Sequence, residues 1–134
     1  MMMDKKILII DGHPVYIQKL EGFLRGLTFQ SIFLGPCAQE ALALLEAEKP
    51  HLVILSGMLP DKDSLELCQE IRKKYPSVKI IVQIGLFTQI TQIEEFMKAG
   101  ADAVLARKEK DLQPLQETIE RLIKTPSSSI SNYK

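Results

Sequence analysis

The chain has 134 residues, 46% apolar and 25% charged, which suits one globular domain and excludes wholesale disorder. Lysine plus arginine and aspartate plus glutamate number 17 each, so no net charge draws the molecule to nucleic acid or an acidic membrane. No apolar run approaches the ~20 residues of a membrane-spanning helix, residues 1–6 lack the apolar stretch of a signal peptide, and Cys37 and Cys68, without metal-ligand spacing, read as free thiols of a cytoplasmic protein.

Residues 7–10 are continuously apolar and end at Asp11-Gly12, which predicts a buried strand and a turn. Pro14 suits a first helical turn, where its missing N–H costs nothing, and Ile17, Leu20, Phe23, Leu24 and Leu27 follow at helical spacing. Residues 29–34 form a second apolar run, weakened by Gln30 and Ser31 and broken by Gly35-Pro36. Ala38, Ala41, Leu42 and Leu45 mark a helical face that ends near Lys49-Pro50. The third run, 52–55, is fully apolar and leads into a loop, 56–63, that carries Pro60. Ser64 is the expected N-cap of the next helix, whose stripe is Leu65, Cys68, Ile71 and Tyr75 and whose end is Pro76. Residues 78–84 read as a fourth strand; Ile90, Ile93, Phe96 and Met97 as a helical face closed by Gly100. Residues 103–106 read as a short fifth strand, and Leu112, Leu115, Ile119, Leu122 and Ile123 as a final amphipathic helix.

Five strand–helix units in succession, without an internal repeat, predict an α/β fold. The expected form is a flavodoxin-like, doubly wound five-stranded parallel sheet of order 2-1-3-4-5 with helices on both faces. The length excludes the eight units of a barrel. In such a sheet function belongs at the carboxyl ends of the strands, here the turns after Ile10, Leu55, Ile84 and Ala106. Residues 1–124 make this domain, and the polar, Ser-rich 125–134 read as a disordered tail or a truncated linker.

Several segments resemble the receiver domains of bacterial two-component response regulators. They are Ile7-Leu8-Ile9-Ile10-Asp11-Gly12-His13-Pro14, the stretch Lys49-Pro50-His51-Leu52-Val53-Ile54-Leu55-Ser56-Gly57-Met58-Leu59-Pro60, Asp63-Ser64-Leu65-Glu66-Leu67, and Ala99-Gly100-Ala101-Asp102. The resemblance runs in order over about residues 4–124. It implies phosphoryl transfer to an aspartate, a carboxylate being unprotonated at neutral pH. Two further acids would hold Mg²⁺, and a lysine and a Thr/Ser hydroxyl would stabilise charge on the transferring group.

Position by position, the resemblance implies a degenerate phosphorylation pocket. The first acid is kept as Asp11, the second is Gly12, and the acceptor is Ser56, whose hydroxyl needs a general base to attack. The Thr/Ser donor is Ile84, followed by the small Gly85; the lysine is Arg107, with Lys108 beside it; the aromatic switch residue is Val104. Three carboxylates have become one, so no catalytic residue and no tightly bound Mg²⁺ are expected. Asp11 and Arg107 are expected to pair instead across the emptied pocket. His13 reads as a helix-start residue, Ser56 as the small polar end of a buried strand, and Cys68 as core.

The expected function is a non-enzymatic signalling module of a phosphorelay pathway, acting by protein–protein contact on another signalling protein or an output domain. In related domains the fourth and fifth helices and the strand between them form such a surface, also usable for a homodimer. Gln89, Gln92, Glu95, Gln113 and Gln116 are its candidates here, and Leu86-Phe87 would cap the pocket or meet a partner. A second reading is a phosphorelay receiver with a non-standard acceptor, Asp61 or Asp63. A third is a cobalamin-type cofactor domain, because Asp11-Gly12-His13 matches the first half of an Asp-x-His-x-x-Gly motif. Its glycine position is Tyr16, however, and Ile84-Gly85 stands where paired glycines belong. Direct DNA recognition finds no basic helix.

Overall fold

A computed structural model describes residues 4–85 and 89–124. In chain order its elements are β1 (Lys6–Ile10), α1 (Pro14–Gly26), β2 (Ser31–Gly35), α2 (Ala38–Glu48), β3 (Leu52–Ser56), α3 (Ser64–Lys74), β4 (Lys79–Ile84), α4 (Ile90–Lys98), β5 (Ala103–Ala106) and α5 (Gln113–Lys124). The strands form one sheet in the order β2-β1-β3-β4-β5, and every pairing is parallel. This is the flavodoxin-like winding read from the sequence.

The central strands are apolar on consecutive positions because both faces of the sheet are covered. Leu8, Ile10, Val53, Leu55, Ile80 and Val82 point into one core with α2, α3 and α4. Ile7, Ile9, Leu52, Ile54 and Ile81 point into the other, with α1 and α5. The pleat alone produces this division, since successive side chains alternate between faces. Gly35 lets α2 approach the sheet closely: a Cβ there would lie 3.0 Å from Ala41 Cα.

The turn from α4 into β5 is held by Arg72. Its guanidinium donates to the carbonyls of Gly100, Pro76 and Val78 and pairs with Asp102 at 2.8 Å, while Asp102 also accepts from the Ile80 N–H. Gly100 has φ +114°, and a Cβ on it would meet Arg72 Cγ at 2.5 Å. Only glycine fits, both for the backbone and for the space.

Several boundary readings are corrected. Asp63, not Ser64, caps α3: its carboxylate accepts from the Leu65 N–H, and Ser64 becomes the first helical residue, buried, its Oγ without a hydrogen-bond partner among the described residues. Either residue type caps well, and the loop geometry selects the earlier one. Strand β2 begins at Ser31, so the polar residue that weakened the run lies inside the strand; Phe29 is buried ahead of it. Likewise Val78 precedes β4 and Leu112 precedes α5. On α4 only Phe96 is fully buried; Ile90 and Met97 are 73% and 46% exposed. The four-residue stripe is wider than the contact a single sheet edge offers.

Candidate functional site

The carboxyl ends of β1, β3, β4 and β5 bring Asp11, Ser56, Ile84 and Arg107 to one edge of the sheet. Asp11 is 3% exposed, and its Oδ1 accepts from the His13 N–H at 2.9 Å. His13 caps α1, its Nδ1 accepting from the Tyr16 N–H at 3.2 Å, which gives that exposed imidazole a local structural role. Asp11 Oδ2 lies 3.6 Å from Arg107 Nη1. The ion pair expected across the pocket is therefore present.

Arg107 has a second neighbour that sequence reading did not anticipate. Its guanidinium stacks on the Tyr16 ring, with Cζ 3.9 Å from the ring centroid. Tyr16 is fully buried, and its hydroxyl accepts from Gln83 Nε2 at 2.8 Å, with Gln83 Oε1 at 3.1 Å. Burial raises the phenol's pKa above its ordinary value, and Gln83 and Arg107 partly oppose that. Asp11, Arg107, Tyr16 and Gln83 thus form one continuous chain of polar contacts beneath the pocket. Among the described residues Arg107 Nη2 has no hydrogen-bond partner, and Nε has a 3.7 Å ion pair with Glu109. Most of the cation's compensation is therefore the carboxylate and the aromatic face.

Ser56 ends β3 as a buried residue. Its Oγ donates to the Met58 carbonyl at 2.9 Å and accepts from the Met58 N–H at 3.2 Å, so both of its functions are used within its own loop. Ile84 is buried and packs where Gly57 leaves room; a Cβ at Gly57 would meet Ile84 Cγ2 at 3.2 Å. Gly12 is similarly hemmed in, with Pro36 O at 3.2 Å and Pro60 Cδ at 3.4 Å from a Cβ built there. Val104 is half-buried against the α2/α3/α4 core. Gly85 and Lys108 are exposed, and Leu86-Phe87 lies outside the described residues.

The two alternative acids are both engaged at helix starts. Asp61 accepts from the N–H groups of Ala38 and Gln39 at 2.8 and 3.1 Å, capping α2 across the loop where Cys37 supplies no side-chain cap. Those backbone N–H groups hold its carboxyl below the usual range. Asp63 caps α3.

Mg²⁺ wants near-octahedral oxygen ligands at about 2.0–2.1 Å. Among the described residues the site's carboxylate is Asp11, already shared by an arginine and a backbone N–H. No group of three His, Cys, Asp or Glu side chains converges among the described residues. The residues present do not fit Mg²⁺.

The family model for the response regulator receiver domain matches residues 7–120. The chain belongs to the response regulator receiver domain family. Curated relatives include the alkaline phosphatase synthesis transcriptional regulatory protein PhoP of Bacillus subtilis, 32% identical over 78% of this chain and 43% of that protein. Another is the regulatory protein VanR of Enterococcus faecium, 30% identical over 98% of this chain and 52% of that protein. The chain thus spans about half the length of these relatives. Among solved structures, a two-component response regulator from Clostridium difficile superposes with a TM-score of 0.83 at 29% identity, covering 90% of this chain and 97% of that one. The signal receiver domain of the DNA-binding response regulator merR from Colwellia psychrerythraea 34H gives 0.83 at 25% identity, covering 91% and 100%. The receiver assignment was legible in the motifs. Tyr16 and Gln83 were not, because their contact joins positions 67 residues apart.

Proposed function

We propose that this receiver domain is a pseudo-receiver: a non-enzymatic module that is not phosphorylated and signals by protein–protein contact. The observation that carries the reading is the state of Ser56. Its hydroxyl is bound on both sides to the Met58 backbone and hydrogen-bonds no described side chain that could act as a general base. The surroundings agree. The cation that would steady a transferring group is stacked on Tyr16 and paired with Asp11, and Ile84 has no proton to donate. Asp61 and Asp63 serve as caps, which weighs against either as a displaced acceptor. Tyr16 puts a buried aromatic ring where a cobalamin-type site needs glycine.

The interaction surface in this reading is α4, β5 and α5. Gln89, Gln92, Glu95 and Gln113 are exposed there and Gln116 is half-buried, beside the exposed apolar side chains of Ile90 and Met97. Gln92 Oε1 accepts from the Gln89 N–H, and Gln113 and Gln116 donate to Glu117 and Glu120. The occupant is another signalling protein, an output domain or a second copy. A working site in the cytoplasm is consistent with the receiver family, and no helix among the described residues is long and apolar enough to cross a membrane.

The test is intact mass after incubation with acetyl phosphate and Mg²⁺. The expected result is unmodified protein. A stoichiometric, hydroxylamine-labile adduct of one phosphoryl group would overturn the proposal, and its mapping to Asp61 or Asp63 would establish the alternative acceptor.

A further inference from the structure

The opposite edge of the sheet, where the strands begin, carries a cleft of about 550 Å³. It is bounded by the residue before β1, the turn before β3, the approach to β4 and the last turn of α5. That volume falls in the range of small-molecule sites, and lies far from Ser56 by topology. Its floor is apolar, from Leu45, Val78, Leu122 and Ile123.

Its charged lining is of one sign. Lys5, Lys49, Lys79 and Lys124 border the cleft, with His51, and no aspartate or glutamate does. In a chain of zero net charge this is a local concentration of cations. Of the rim lysines Lys49 is paired with Glu46, which also pairs with Lys74 and accepts from the Tyr75 hydroxyl, and Glu48 is paired with the neighbouring Lys6. Lys5, Lys79 and Lys124 have no carboxylate partner among the described residues. The Lys6 N–H donates to His51 Nδ1 at 2.9 Å, which leaves Nε2 as the neutral ring's donor. Burial, and then Lys5 and Lys6, hold that imidazole below its ordinary pKa. Lys49 and Lys74 lie over the Tyr75 ring at 6.0 and 5.7 Å, which occupies the ring with cations rather than leaving it for stacking.

We propose that this cleft binds a small organic anion with an apolar body, a carboxylate or phosphate ester whose charge meets the lysine rim and whose hydrocarbon part enters the floor. The site is independent of the pocket at Ser56 and stands whether or not that serine takes phosphate. Electrostatics supply the choice of sign and the apolar floor supplies burial.

The probe is anilinonaphthalene sulfonate, with its uncharged parent N-phenylnaphthylamine as the comparison, titrated by fluorescence and mapped by backbone amide shifts. The expected result is saturable one-to-one binding of the sulfonate, much weaker binding of the parent, and shifts concentrated at Val78, Lys79, Ile123 and Lys124. The double variant Lys5→Glu, Lys124→Glu should weaken the sulfonate at least about tenfold, whereas Lys110→Glu, in the loop before α5, should not. A carboxylate and a phosphate ester of matched hydrocarbon size, used as competitors, tell which head group the rim prefers. Equal binding of parent and sulfonate, insensitivity to the double variant, or shifts centred on α4 and β5 would overturn the proposal.

Discussion

Ser56 replaces a carboxylate by a hydroxyl, but the consequence depends on its neighbours. Restoring the acid alone should not restore chemistry, because Gly12 supplies no second ligand and Arg107 is already engaged. Ser56→Asp is therefore expected to stay unmodified by acetyl phosphate and Mg²⁺ in the same intact-mass assay. Adding Gly12→Asp requires the Pro36 carbonyl to give by a few tenths of an ångström, while Pro60 stays at ordinary contact. Beneath the pocket, Tyr16→Phe removes the buried hydroxyl and strands the Gln83 amide. A loss of about 1–3 kcal/mol in urea unfolding is expected. The pH dependence has a definite sign. The folded state holds the Tyr16 proton above the ordinary value of 10.0, so its contribution is intact below pH 10.0 and is lost as pH rises through the folded value. Tyr16→Phe should flatten that alkaline decline. The Asp11–Arg107 pair was legible in the sequence; its extension through Tyr16 and Gln83 was not. Tyr16 sits beside the helical stripe and Gln83 inside an apolar strand, and only the fold makes them neighbours.

At the scale of elements, periodicity and apolar runs located all five strands and all five helices. The boundaries moved where two residues could do the same job, as at Asp63 and Ser64. Asp63→Ala is expected to cost about 1 kcal/mol through the lost cap, and Ser64→Ala little, since its Oγ has no partner among the described residues. Asp61 reaches a different helix from its own loop, a tertiary contact that no local pattern encodes. Gly100→Ala meets both a positive φ and the Arg72 side chain. A loss of about 2 kcal/mol or more in denaturant unfolding is expected. Ile90→Asp, on the solvent side of α4, should change stability by no more than about 0.5 kcal/mol, and so separates partner binding from folding.

For the whole molecule, the doubly wound sheet separates two edges with different chemistry. The carboxyl edge holds the Asp11–Arg107–Tyr16–Gln83 chain, and the amino edge holds the lysine-rimmed cleft. The doubly wound sheet was legible because consecutive apolar positions in the central strands demand cover on both faces. The amino-edge cleft was not, because its cationic rim comes from four separate stretches of chain. Burial of the whole also distinguishes the two thiols. It pushes the Cys68 thiol up to about 11, while Cys37 is partly exposed. A thiol reagent at mildly alkaline pH should label Cys37 rapidly and Cys68 at least about a hundredfold more slowly until the protein unfolds. The central claim is that the carboxyl-edge pocket neither holds Mg²⁺ nor accepts phosphate. Its most direct test is the backbone amide spectrum of the folded protein before and after addition of Mg²⁺ with acetyl phosphate. Unmoved resonances are expected for Asp11, Ser56, Ile84 and Val104; saturable, concerted shifts of that set would overturn the pseudo-receiver reading.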